Sequence, residues 1–281
     1  VTALSKARVH IGTRARAMTR GRADWRGVLV PLALVALWSG LAGSGLVSPR
    51  LLPPPWDVIT AIGEFLFAPA RGVIAGVVPF EGAAVVHVPA SVGRLVLSFG
   101  VAAVVGVPLG LALGLSRRFA AYVDPLVQSL RPVPIFAWLP LAFAWFGLGE
   151  GAARALIIVG ALFPIVVSTA DGVARVPRVY RERALALGTP RARLLWKVYL
   201  PAALPSVVTG LRLGVTLGWM SVVVGELTGT RYGVGVMMFA AREVGRLDRV
   251  IVGILCFAVL GVLSDLALRM IFRPFTGWSR A

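Results

Sequence analysis

Six apolar runs, each about long enough to cross a bilayer, constrain this chain more than any single residue does. A transmembrane helix needs about 20 mostly apolar residues, roughly 30 Å at 1.5 Å per residue. Runs of that kind centre on residues 27–47, 91–115, 126–147, 152–171, 203–226 and 249–270. The 281 residues are 58% hydrophobic and only 15% charged, whereas soluble domains carry about a quarter charged residues, and the mean hydropathy is +0.85. The expectation is an all-α integral membrane protein with about six transmembrane helices. The fourth run is the tightest fit, because Arg154 and Asp171 leave only residues 155–170 free of charge and must sit at the interfaces. A net charge of +17 would suit nucleic acid if the cations formed one face of a soluble fold. Here they flank the apolar runs, which argues for contact with membrane lipid and against nucleic acid.

Loop charge sets the direction of threading, because Lys and Arg accumulate on the cytoplasmic side. With the N-terminus inside, the cytoplasmic segments carry seven cations in residues 1–26, two at Arg117 and Arg118, seven in 172–200 and three in 269–281. The other side then carries Arg50 and Arg71 before the second run, and Arg231, Arg242, Arg246 and Arg249 before the sixth. Nineteen cations against six favour both termini inside. The organisation expected is a basic cytoplasmic tail (1–26), a first span (27–47), an extracytoplasmic segment (48–90), a core of five more spans (91–272) and a cytoplasmic tail (273–281). Residues 27–49 contain no charge and exceed the 7–15 apolar residues of a signal peptide, so this run reads as a retained span. In the segment after it, Pro53, Pro54 and Pro55 impose extended backbone. Trp56, Val58, Ile59, Ile62, Phe65 and Leu66 then recur at helical spacing, so a short amphipathic helix capped by Asp57 is expected at the membrane surface. The single cysteine, Cys256, lies in the last apolar run and reads as a small buried hydrophobe.

Residues 182–201, ERALALGTPRARLLWKVYLP, are polar and Arg-rich between two apolar runs, inside a loop (172–200) that the charge count assigns to the cytoplasm. From Pro177 to Leu200 the chain reads as a helix, a break at Gly188-Thr189-Pro190, and a second helix carrying Leu194, Leu195, Val198 and Tyr199. Gly188 lets a helix end in the left-handed conformation, and Pro190 suits the first turn of the next. Ala184, Leu185 and Leu187 then form an apolar knob ringed by Arg181, Glu182, Arg183 and Arg191, the composition of a surface that inserts into a partner's groove. A solvated loop whose arginines attract anionic lipid has the same charge. The spacing Glu182, Ala184, Gly188, Val198, Leu200, Pro201 resembles the Glu-Ala-Ala-x3-Gly-x9-Ile-x-Leu-Pro signature of binding-protein-dependent ABC importer permeases. Arg183 stands where the first alanine of that signature would. LLPPPWDVITAI, GVPLGLALGLSRR, LVQSLRPVPIFAWLPLAFAWFGLGE and PAALPSVVTGLRLGVTLGWMSVVVGEL are similar to the sulfonate, taurine and nitrate branch, so the resemblance spans roughly residues 50 to 272.

The resemblance implies a type I ABC importer permease-like fold, a homodimer of this chain, two cytoplasmic ATPase subunits and an extracytoplasmic solute-binding protein. It implies that Glu182, Arg183, Ala184, Leu185, Gly188, Leu200 and Pro201 couple the chain to the ATPase, whose closure would drive alternating access for a small anionic solute. No GxxxxGK[ST] pattern occurs, so ATP would be bound by the partner and the chain needs no cofactor of its own.

Ionisable groups inside spans cost about 2.5–3.5 kcal/mol each at the bilayer centre and require a partner or a wet cavity. Gln128, Arg131, Arg212, Thr216, Ser221 and Glu226 are the candidates for the solute path, since guanidinium groups and hydroxyls suit an anion. Arg212 could equally pair within the bundle. Arg94 and Asp265, near span ends, are expected to snorkel to an interface. Pro132, Pro134 and Pro140 kink the third span beside Trp138 and Trp145, whether to line a cavity or merely to pack. An ion-gradient-coupled transporter is the alternative; it predicts acidic residues at mid-membrane depth and inverted repeats, and neither is seen. For an enzyme, His10 and His87 are too far apart to form a metal site.

Overall fold

A computed structural model describes residues 26–69 and 80–276. The basic tail expected at 1–26, apart from Arg26, and residues 277–281 of the second tail lie outside the described residues. The apolar runs are helical, as they must be where no water can satisfy the backbone. The first run forms α1 (Arg26–Gly43), whose apolar part is shorter than a full span. Its Trp38 indole donates to the Pro53 carbonyl at 3.0 Å and so fixes the extended turn that follows. The expected amphipathic helix is α2 (Pro55–Phe67), but its N-cap is Pro54, and Asp57 sits inside the first turn without capping it. Three consecutive prolines set the extended backbone before the helix, so no side-chain cap is used, and Asp57 acts through its charge near the helix N-terminus. Val58, Ala61 and Phe65 are buried, whereas Trp56 and Ile59 face outward.

The second span, α3 (Ala84–Leu115), begins seven residues before the expected 91. The third departs most from expectation. Instead of one span over 126–147, the chain forms α4 (Arg117–Leu130), a 3-10 turn (Ile135–Trp138) and α5 (Leu139–Phe146), with a bend of 102°. Pro132 and Pro134 remove two N–H donors within three residues, which ends the hydrogen-bond ladder outright where a single proline would only kink it. Next come α6 (Glu150–Ala174) and the polar α7 (Arg178–Ala186). After a break at 187–190, one uninterrupted helical path contains α8 (Arg191–Leu194), a π-helical turn (Leu195–Tyr199) and α9 (Leu200–Glu226). Pro201 has no N–H to offer the carbonyl four residues back, and the local widening to the π pattern absorbs that loss. A short α10 (Val234–Glu243) and the last span, α11 (Leu247–Thr276), complete the order. Among the described residues, four helical stretches are long and apolar enough to cross a membrane, or five if the bent pair is one span.

The core is a cluster of three helices in which α6 packs against both α3 and α9, and these two also touch each other, Gly218 meeting Leu95. Glycines bring the backbones together. A Cβ at Gly110 would stand 2.6 Å from both the Thr169 Cβ and the Val166 carbonyl, and one at Gly114 would meet the Val173 side chain and the Ala170 carbonyl. From α9, Gly210 meets Ser168, Gly214 meets Ile165 and Gly225 meets Ala153. Gly106, Gly110 and Gly114, like Gly210, Gly214 and Gly218, repeat every four residues, and this spacing lets membrane helices pack closely. At one end of the bundle a separate cluster of Val58, Phe65, Phe80, Val234, Met237 and Val252 packs α2 and α10 against α11. Phe65 and Phe80 stack at 5.5 Å there, and the Arg249 guanidinium lies 4.3 Å from the Phe80 ring centre.

The close approach predicts a position-specific sensitivity along one helix. Gly110→Ala should destabilise the purified protein by about 1–3 kcal/mol through overpacking. Gly100→Ala on the same helix, with nothing within 4 Å of its added Cβ, should be neutral or slightly stabilising. Thermal melting of both variants in one detergent measures the contrast.

Candidate functional site

Three features are candidates for function: the exposed turn after α7, a cavity beside α6 and α9, and a buried polar cluster at the far end of α9.

The α7 turn has the geometry that its residues suggest. Gly188 has φ of +78°. Its N–H donates to the Leu185 carbonyl and the Thr189 N–H to the Ala184 carbonyl, both at 2.9 Å. This pair of bonds is a Schellman ending, with Gly188 in the left-handed position. Nothing lies within 4 Å of a Cβ built there, so glycine is required by conformation and not by crowding. Pro190 stands just before the next helix as its N-cap, one position earlier than expected. Glu182, Arg183 and Leu185 are exposed, Ala184 is half-buried, and Leu187 is 85% exposed. Glu182 makes no ion pair or side-chain hydrogen bond among the described residues. Leu200 and Pro201 lie apart from this surface, at the start of α9. The signature thus divides into an exposed patch on the α7 turn and the residues that begin a span.

The cavity, about 390 Å³, lies against the break between α4 and α5 and is lined by residues of α6 and α9. Of the solute-path candidates it gathers Arg131 and Ser221, and it adds Ser168 and Trp138. Ser221 donates to the Leu217 carbonyl at 2.9 Å. The other candidates lie elsewhere. Gln128 donates to Asp124 on the exposed side of α4, and Thr216 donates to the Arg212 carbonyl. Arg212 pairs with Asp265 at 2.6 Å, and Asp265 also takes Arg269 at 2.8 Å. Asp265 therefore does not simply snorkel: it ties α9 to α11.

Arg94 departs further from expectation. It is 4% exposed, and it binds Glu226, which is 2% exposed. Its guanidinium also donates to Glu150 at 2.6 and 3.1 Å and to the Tyr232 carbonyl at 3.0 Å. Snorkelling loses here because carboxylates from two other helices already lie within reach of the buried guanidinium. Glu226 belongs to this cluster and not to the cavity. Its carboxylate accepts from Ser91 and, at 2.6 Å, from the Gly235 N–H. Ser91 in turn accepts from the Val234 N–H at 2.9 Å, and His87 Nδ1 accepts from the Gly233 N–H at 3.0 Å. Three successive donors at the start of α10 are thus satisfied by side chains of α3 and α9, a cap supplied from other helices. A Cβ at Gly233 or Gly235 would collide with Glu226. His87, Ser91 and Arg94 recur on one face of an otherwise apolar helix, a signal that could have located the cluster from the sequence.

A buried ion pair stripped of one partner leaves an uncompensated charge. Arg94→Met should therefore cost about 3–5 kcal/mol and visibly lower the melting midpoint. Arg94→Met combined with Glu226→Gln should recover much of that loss, because the amide oxygen can accept from the Gly235 N–H, the amide nitrogen can donate to the Ser91 hydroxyl, and no unpaired carboxylate is left beside them. Equal melting of the single and double variants would contradict this account.

Comparison with known proteins places the geometry in context. The family described as binding-protein-dependent transport system inner membrane component matches residues 106–276. The taurine transport system permease protein TauC of Escherichia coli (strain K12) is 38% identical over 246 residues, covering 87% of this chain and 86% of that protein. The putative aliphatic sulfonates transport permease protein SsuC of Bacillus subtilis (strain 168) is 35% identical over 260 residues, covering 92% and 90%. Among solved structures, a chain of the MetNI methionine ABC transporter, in an inward-facing crystal form, superposes with a TM-score of 0.57 at 19% identity over 82% of this chain and all of that one.

Proposed function

The chain belongs to the binding-protein-dependent transport system inner membrane components, and from that premise we propose how it works as the permease subunit of an ATP-driven ABC importer. The ion-gradient alternative falls with family membership. Two copies of the chain form the membrane part, a cytoplasmic ATPase dimer docks on the turn after α7, and a solute-binding protein delivers from the other side. The excess of Lys and Arg in loops supports a topology with both termini cytoplasmic. The solute is small and anionic, of the sulfonate, taurine or nitrate type; the names of the two relatives support taurine and aliphatic sulfonates.

The observation that carries this reading is the exposed Leu185 and Leu187 beside Glu182, which has no ion-pair partner among the described residues, held on a Schellman turn. Apolar residues at the centre supply affinity, and charges at the rim supply register. Movement has a direct route inward. The turn leads without interruption through α8 and the π turn into α9, which lines the cavity with Leu213, Leu217, Met220 and Ser221. ATP closes the ATPase dimer, the paired α7 turns approach each other, and the spans switch from inward-open to outward-open; hydrolysis resets them. The chain supplies the lever and the path, and the partner supplies the free energy. Leu213, Leu217 and Met220 are 50%, 41% and 62% exposed on one face of α9 beside the cavity, which suits a second copy closing the path.

Affinity purification of the tagged chain from solubilised membranes tests the docking. Wild type should retain an ATPase, and Glu182→Lys should lose most of it while staying in the membrane. A β-branched residue in the left-handed region costs about 1–2 kcal/mol, so Gly188→Val should uncouple ATP hydrolysis from uptake. Gly188→Asn, which tolerates that conformation, should stay close to wild type. Uptake and ATPase rates in reconstituted vesicles separate the two, and normal uptake by Gly188→Val would refute the rigid-turn mechanism.

A further inference from the structure

The walls of the cavity narrow the solute class further, on the reading above that this is the path of an imported anion. Arg131 is the one charged residue among those lining it. It caps the C-terminal end of α4, and its guanidinium makes no ion pair or hydrogen bond among the described residues. Ser168 also lines the cavity, and its hydroxyl has no hydrogen-bond partner among the described residues, so it is free to donate. Ser221 keeps its proton on Leu217 and can only accept. The remaining surface is largely apolar, with Trp138, Phe163, Leu217 and Met220 as its large side chains. No carboxylate lines it among the described residues.

These walls suit some anions and not others. A guanidinium and a hydroxyl donor lining the same cavity can offer charge-assisted bonds to the oxygens of an anionic head group. Apolar walls favour a hydrocarbon tail by removing its surface from water. A small inorganic anion would leave those walls uncovered. A zwitterion would bring an ammonium group into a largely apolar hollow with no counter-charge, and an unpaired buried charge is strongly disfavoured. We propose that this cavity is a transit site for organic monoanions with a short apolar tail, held at the head by Arg131 and Ser168, and that it discriminates against amino-sulfonate zwitterions.

Saturation-transfer NMR detects weak ligands and suits a site that must release its solute. The full chain, in phosphatidylcholine nanodiscs, is presented with 1-hexanesulfonate, hexanoate or taurine, and empty nanodiscs correct for partitioning into lipid. Transfer is expected to one or both hexyl anions, the stronger naming the head group, and not to taurine at the same concentration. Nitrate at that concentration should not displace them. Arg131→Gln should weaken hexyl-anion binding at least about tenfold, the loss of one charged hydrogen bond, whereas Arg131→Lys should retain part of it. Leu217→Glu, which adds a carboxylate to the wall, should bring taurine in. Taurine binding to wild type as strongly as hexanesulfonate, or hexanesulfonate binding unchanged by Arg131→Gln, would overturn the assignment. Neither result bears on the permease reading, which stands or falls on retention of the ATPase at Glu182.

Discussion

Helices in a bilayer have no hydrophobic force to bring them together, since lipid is as apolar as leucine, and they associate only where packing is unusually close. In this chain the condition is met by glycines that seat α3 and α9 closely on α6, with Ile165 of α6 meeting both Gly106 and Gly214. Backbone against backbone leaves little room for sliding, so α6 and its two neighbours form one core. The remaining elements attach to its edges: α10 is held at its start by His87, Ser91 and Glu226, α2 is held against α11 through Val58 and Phe65, and the broken α4–α5 pair borders the cavity.

Within that core α9 is the element that runs from one end of the molecule to the other. Its N-terminal end continues directly from the α7 turn by way of α8 and a π-helical turn, and its C-terminal residue, Glu226, lies under Arg94 with α10 capped on top. Between these ends it lines the cavity and pairs with α11 through Arg212 and Asp265. The charges inside the spans therefore divide by role. Arg94 with Glu226, and Arg212 with Asp265, are neutralised in pairs and fix helix to helix, whereas Arg131 has no such partner among the described residues. Charge in a span signals function only after its partners have been counted.

The membrane class, the helical content and the sharp exposed turn after α7 were legible in the residues alone. Hydrophobic run length dictates spans, because an unsatisfied backbone group in hydrocarbon costs several kcal/mol. The Gly188 turn was equally legible, because a left-handed residue followed by Pro190 is a local conformational constraint that needs no tertiary partner. The glycine repeats of α3 and α9 were also present in the sequence as a four-residue spacing, which marks close packing but not the partner face.

Tertiary structure alone decided the rest. Arg94 and Glu226 are 132 residues apart, and nothing in either local sequence says that they meet; the same is true of Arg212 with Asp265, and of His87 with the start of α10. Whether a third run with two prolines bends or breaks depends on what packs against its freed backbone. Membership of the cavity wall is a matter of which faces of α6 and α9 remain uncovered once the glycines have set their distance. Local chemistry determined which segments are helices and where one must turn sharply, because those preferences act within a few residues. Pairing, burial and the free guanidinium of Arg131 were decided only by the fold, because they depend on which distant side chains share a space.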